Sequence, residues 1–188
     1  MELVSEAIIF ATKAHDGMRR KKSEVPYILH PMEAAVIVGT MTEDQNMIAA
    51  AALHDVVEDA GVTIKEIEEK FGKRVKELVS SETEDKRADL PPADTWRERK
   101  EESLAVLKNT DDIGVLMVWI GDKLANMRAI YRDFKVEGVA MWQRFNQKDV
   151  AEQAWYYRSI LKYTERLSNT SAWLEYKALT ELVFGKGE

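Results

Sequence analysis

Apolar residues recur at three- and four-residue steps along most of the chain, the period of a helix that buries one face. Ile8, Ile9, Ala11, Thr12 and His15 keep this spacing near the start, and Met47, Ala51, Leu53 and Val57 keep it farther on. The pattern predicts helices near 2–15, 32–41, 44–59, 63–71, 73–83, 97–108, 113–133, 139–166 (with room for a break) and 170–184. Valine and isoleucine fall mostly inside these helical patterns, and no two-residue hairpin turn lies between alternating runs, so strands are not expected. The reading is an all-α protein, folded as a single compact helical bundle over residues 1–188.

Breakers and caps agree with these bounds. All four prolines lie in two places, Pro26 and Pro31 in "VPYILHP" and Pro91 and Pro92 in "ADLPPAD". Pro31 suits a first helical turn, where its missing N–H would be unpaired anyway, and this leaves His30 at the helix mouth. Thr63 followed by Glu66 is a capping-box pattern, and Gly72 sits where that short helix would end. The polar, breaker-rich stretch around 84–96 reads as a long surface loop, a length that is uncommon unless the loop is functional or mobile.

Composition narrows the function classes. With 188 residues, 45% hydrophobic and 32% charged, the chain is long enough for one domain with a real core. No apolar run approaches the ~20 residues that span a bilayer. Acids precede the apolar residues of the N-terminus, unlike a secretory signal, and there is no cysteine, so a cytoplasmic protein without disulfides or thiolate metal sites is expected. A net charge of -6 argues against nonspecific nucleic-acid binding. An anionic ligand must then be met by a local basic cluster, and "RRKK" at 19–22 is the densest one.

The candidate chemistry lies in "AALHDVVEDA", residues 51–60. On a helix His54, Asp55, Glu58 and Asp59 stand three or four positions apart and share a region. An acidic solvated face is the ordinary explanation of such carboxylates. However, the full HDxxED word would arise by chance in roughly one in a thousand chains of this composition. A hard divalent cation needs imidazole and carboxylate donors converging from several elements. His30 upstream and Asp122 downstream are candidates; Asp122 follows the apolar "VLMVWIG", so its charge needs a partner or a metal. Asn126 lies one turn beyond it. His15, among Phe10 and Ala11, reads as a buried structural residue.

The words "HDGMRRKKSEVPYILHP", "AALHDVVEDAGVTIKEIEEKFG" and "GDKLANMR" resemble the HD superfamily of metal-dependent phosphohydrolases. They are most similar to the hydrolase domain of the RelA/SpoT alarmone enzymes and their small stand-alone relatives of the metazoan SpoT homologue type. The resemblance runs from about 7 to 132, with a divergent helical part over 139–184. It implies an HD-type bundle with a manganese ion held by His30, His54, Asp55 and Asp122. Glu58 and Asp59 match the catalytic acidic pair, Arg20 and Lys21 the phosphate-contacting pair, and Asn126 a further active-site residue. Tyr156, by alignment of the late helix, is a base-contact candidate. The implied reaction is removal of the 3'-pyrophosphate of guanosine 3',5'-bis(diphosphate), the stringent-response alarmone, with no synthetase domain expected. Met18 replaces a common glutamine, and the tail from Gly138 departs from the long enzymes. Two alternatives therefore stay open: an HD phosphohydrolase of another nucleotide (the NADPH 2'-phosphate or a nucleoside monophosphate), and a non-catalytic alarmone or metal sensor.

Overall fold

The computed structural model describes residues 1–20, 23–87 and 89–186. Among them the secondary structure is helical, apart from one isolated antiparallel bridge between Arg19 and Pro26. The α-helices are α1 (Leu3–Ala14), α2 (Leu29–Gly39), α3 (Gln45–Leu53), α4 (Val56–Asp59), α5 (Ile64–Glu82), α6 (Trp96–Asn109), α7 (Ile113–Glu137), α8 (Val150–Tyr163) and α9 (Ser171–Phe184). Short 3₁₀ segments occupy Gly138–Arg144 and Glu165–Leu167. None of these helices is long and apolar enough to cross a membrane.

Several helix starts have a side-chain cause. Asp44, Asp112, Asp149 and Thr170 each accept a backbone N–H from the first turn of the helix they precede, as good N-caps do. The capping box expected at Thr63 and Glu66 is formed in both directions. Gly72 ends the first helical stretch as expected, and a second stretch follows it. The glycine is a kink inside α5, with φ of 84° that a residue bearing a Cβ rarely adopts.

One expectation is corrected, and one break left open is resolved. The predicted helix 44–59 is interrupted at His54 and Asp55, giving α3 and the short α4. The cause is local: His54 Nδ1 lies 2.8 Å from the Ala51 carbonyl, the group that would accept the Asp55 N–H in an unbroken helix. The stretch 139–166 divides into a 3₁₀ segment, a connection and α8.

One apolar cluster runs through the molecule, from Ala7 on α1 to Val183 on α9. α3 lies at its centre, and Ala49, Ala50, Ala51 and Ala52 are fully buried. Their small side chains let α1, α2, α5 and α7 close around it. α2 and α7 come close at Gly121, where a Cβ would stand 2.6 Å from Val38 Cγ2 and 3.0 Å from the Ala34 carbonyl oxygen. Arg128 on α7 ties the outer side together, reaching Glu33 on α2 at 3.1 Å and Glu175 on α9 at 2.7 Å.

Candidate metal centre

Three elements deliver donor atoms to one point. α2 supplies His30 in its first turn, the α3–α4 junction supplies His54 and Asp55, and α7 supplies Asp122 just past the close approach at Gly121. His30 Nε2 lies 3.0 Å from Asp122 Oδ1 and 3.4 Å from Asp55 Oδ2. His54 Nε2 lies 3.1 Å from Asp55 Oδ2 and 3.5 Å from Asp122 Oδ1. One ligand atom each from His30, His54 and Asp122 falls within a 4.8 Å span.

The donor set fits a divalent cation. Two imidazoles and two carboxylates form a mixed nitrogen and oxygen shell that Mn, Fe, Co or Zn accepts. A carbonyl can only accept, so the contact to Ala51 places the His54 proton on Nδ1 and turns the Nε2 lone pair inward. His54 is 2% exposed, and its Nε2 is a buried atom without a hydrogen-bond partner. A buried acceptor left open among carboxylates is what a metal would satisfy.

Electrostatics points the same way. Burial alone would lower the His54 pKa, but Asp55 and Asp122 beside it hold it well above its ordinary value. Burial would raise both aspartates. His54 and His30 instead hold Asp55 low, and Lys123, with the histidines, holds Asp122 low. The field that favours a proton on His54 also attracts a divalent cation, whose binding displaces that proton.

The other expected residues surround this point. Glu58 is largely buried, accepts the Glu84 N–H at 2.6 Å through Oε1, and has its pKa raised by desolvation. Asp59 lies one residue on, with its two oxygens engaged by different groups: Lys86 Nζ on Oδ1 and the Tyr27 hydroxyl at 2.7 Å from Oδ2. Asn126 donates to Asp122 Oδ1 at 2.6 Å and accepts from Arg20 Nη2 at 3.0 Å, so Arg20 is seated at the edge of the centre. Lys21 lies outside the described residues.

Tyr156 is not an open stacking face. Its ring is 4% exposed and packs against Trp96 and Tyr157, with Lys100 Nζ 5.0 Å from its centroid. At that position on α8 the side chain turns into the α6 packing, and it borders the polar cavity that His30, Asp55 and Asp122 also line. His15 is buried, as expected, with its ring 4.9 Å from that of Tyr27.

The sequence reading missed several groups. Tyr27 reaches Asp55 Oδ2 at 2.8 Å as well as Asp59, because "MRR" and "VPY" fold back on each other: Arg20 N–H donates to Val25 and Tyr27 N–H to Met18. Tyr27 stands three residues before His30, a spacing that could have drawn notice. Lys123 contacts Asp122 Oδ2 and lies 3.6 Å from buried Glu82, whose carboxyl burial pushes up to about 8. Lys100 pairs with Glu84 at 2.7 Å.

Two cavities meet here. A polar one of about 190 Å³ is bordered by Asp55, Glu58, Asp59, Asp122, Lys100 and Lys123. A larger cleft of about 670 Å³ shares Arg20, Tyr27, His30 and Asn126 with it, and continues past Ile130 to Arg132, Arg144, Phe145 and Tyr157.

Comparison with known proteins places this arrangement. Residues 7–149 match the family model described as HD domain. A GTP pyrophosphokinase of Myxococcus xanthus is 31% identical over 69% of this chain and 17% of its own length. A putative chloroplastic GTP diphosphokinase of Arabidopsis thaliana is 35% identical over 69% of this chain and 15% of its own length. The chain thus spans about a sixth of these relatives. Among solved structures, a Listeria monocytogenes protein matches with TM-score 0.73 and 28% identity, covering 84% of this chain and 99% of that one. A metazoan SpoT orthologue, described as hydrolysing ppGpp, matches in fold with TM-score 0.77 and 23% identity over 99% of this chain and 98% of that one. The chain belongs to the HD-domain family.

Proposed function

We propose that this chain is a divalent-metal phosphohydrolase that removes the 3'-diphosphate of guanosine 3',5'-bis(diphosphate), with Mn²⁺ as the preferred ion. The observation that carries the reading is the meeting of His30, His54, Asp55 and Asp122 with the Glu58–Asp59 pair on one side and Arg20 on the other. The ppGpp hydrolysis described for the metazoan SpoT orthologue supports the substrate choice.

When bound, the cation polarises a phosphoryl oxygen and makes a water easier to deprotonate near neutral pH. Glu58 is the proton carrier: burial raises its carboxyl toward the working pH, and the Glu84 N–H fixes its direction. Asp59, held between Lys86 and Tyr27, stays in place and orients the attacking water. The water oxygen joins the phosphorus attached to O3', the bond from that phosphorus to O3' breaks, and a proton returns to O3', giving GDP and pyrophosphate. Arg20 presents a planar fork of N–H donors to phosphate oxygens, oriented by Asn126 and lying 5.5 Å from the Tyr27 ring centre. The larger cleft has room for the nucleoside and its 5'-diphosphate, with Phe145 and Tyr157 as apolar walls and Arg132 and Arg144 at its polar end.

Purified protein incubated with Mn²⁺ and the bis(diphosphate) is expected to release pyrophosphate and GDP, and Asp55→Ala to abolish release. Metal-loaded protein that leaves this nucleotide intact while hydrolysing another would overturn the substrate assignment.

A further inference from the structure

The segment after α5 crosses from the catalytic pair to α6, and its side chains alternate between the two. Glu84 pairs with Arg99 and Lys100 of α6, at 2.7 Å each. Arg87 pairs with Glu98 and Glu102 of the same helix, at 2.5 and 2.6 Å. Lys86, between them, turns the other way: its ammonium meets Asp59 Oδ1 and donates to the Glu58 carbonyl at 3.2 Å. The Glu84 N–H meets Glu58 Oε1 in the same stretch. Arg87 has φ of 46°, a left-handed conformation that costs a residue with a Cβ and persists only where the surroundings impose it. Here the surroundings are two ionic anchors on α6, with Lys86 held against the acids beside them.

We infer that Lys86 is a positioning residue for the reaction: anchored through its neighbours to α6, it fixes the Asp59 carboxylate and so aims it at the attacking water. This rests on the role given to Asp59 in the proposed hydrolysis. An ordinary surface ion pair is the competing explanation, since the Lys86 side chain is 43% exposed and such pairs add little to stability. The arrangement differs from one in that both Asp59 oxygens are held, each keeping a lone pair for the water. Tyr27 meets Oδ2 and Lys86 meets Oδ1, so loss of the lysine leaves the carboxylate only a hydroxyl whose one proton Asp55 also competes for.

The test compares Lys86→Met and Lys86→Arg, each alone and combined with Asp59→Asn, in the full Mn²⁺-loaded chain with guanosine 3',5'-bis(diphosphate). Lys86→Met should lower kcat by about tenfold or more while KM stays within about twofold, and Lys86→Arg should restore most of the loss. In the Asp59→Asn background Lys86→Met should add no further loss, because the contact it serves is already gone. An undiminished loss in that background, a rise in KM alone, or unchanged kinetics would each overturn the inference. The second readout needs no turnover: in the chain loaded with diamagnetic Zn²⁺, since Mn²⁺ would broaden signals this close to it, the Asp59 side-chain ¹³Cγ resonance should move in Lys86→Met and stay near its place in Lys86→Arg. If the parent protein does not hydrolyse the nucleotide, the substrate assignment falls and the resonance decides alone; an unmoved Asp59 signal then overturns the role of Lys86.

Discussion

Replacing Gly121 with alanine tests whether the spacing of α2 and α7 sets the metal centre. The added Cβ would stand 2.6 Å from Val38 Cγ2 and 3.0 Å from the Ala34 carbonyl oxygen. Carbon pairs rest near 3.5–4.0 Å, so the valine methyl must retreat by about 1 Å. The carbonyl belongs to the α2 backbone and has no rotamer to change, so α2 itself must move away from α7. His30 lies one turn before Ala34, and Asp122 is the neighbour of Gly121. Their 3.0 Å contact spans the interface that would be wedged open. Alanine gains about 0.8–1.0 kcal/mol of helix propensity over glycine, whereas overpacking costs about 1–3 kcal/mol. The net is a loss of about 1 kcal/mol, or roughly 2–4 °C in Tm for a chain of this size. Displaced ligand geometry should weaken metal binding by about tenfold or more, a larger effect than the stability change implies. Thermal melts in chelator and calorimetric titration with Mn²⁺ measure the two quantities separately. Gly39→Ala is the control: its Cβ would meet Ile48 Cδ1 at an ordinary 3.9 Å, and neither quantity should fall. A Gly121→Ala protein as stable as the parent and binding Mn²⁺ as tightly would refute the reasoning, because the helices would then have slack at the crossing.

Three further outcomes follow from the same geometry. Tyr27→Phe keeps the ring packed on His15 but removes the hydroxyl shared by Asp55 and Asp59; Mn²⁺ affinity and kcat should each fall by about tenfold with Tm nearly unchanged, as titration, kinetics and melting would show. Glu58→Gln should lower kcat by about 10²–10⁴-fold without loss of Mn²⁺ binding. Because a proton acceptor works only when ionised and burial raises this carboxyl, the parent's kcat/KM should rise with pH through a limb above the ordinary carboxylate range, and that limb should be missing from the Glu58→Gln profile. Asp112 caps α7 and forms a two-pronged pair with Arg74, which holds its carboxyl below the usual range. A depressed folded-state pKa stabilises the fold above the unfolded value and is lost as pH falls through the folded one. Asp112→Ala should therefore cost about 1 kcal/mol near neutral pH by urea unfolding, discounted for its partial exposure, and progressively less in acid.

What the sequence disclosed depended on how local each signal is. Pro31 at a helix mouth, Thr63 with Glu66, and the HDxxED word act within one or two turns, so the helices that carry the ligands could be read before any packing was known. Asp122 was legible because a charge placed after seven apolar residues has few explanations. The break at His54 was not legible, since period alone continues through it, and only the ring's contact with the Ala51 carbonyl ends α3 there. The surroundings of Tyr156 were not legible either, and it lines the polar cavity with its ring largely buried. Two adjacent tyrosines on a helix face different neighbours, and which one meets the cleft depends on how α8 rotates against α6 and α9. Gly121 and Lys86 have no local signature, and Tyr27 has only its spacing from His30: a glycine inside a helix, a tyrosine between two prolines and a lysine in an acidic loop are all ordinary. Their meaning comes from what the folded chain brings opposite them, namely a carbonyl of α2, the two aspartates of the HDxxED word, and the outer oxygen of Asp59. The candidate ligands were thus visible as residue types, and the parts that position them were not. Substitutions at Gly121, Tyr27 and Lys86 should accordingly alter activity or metal affinity more than stability.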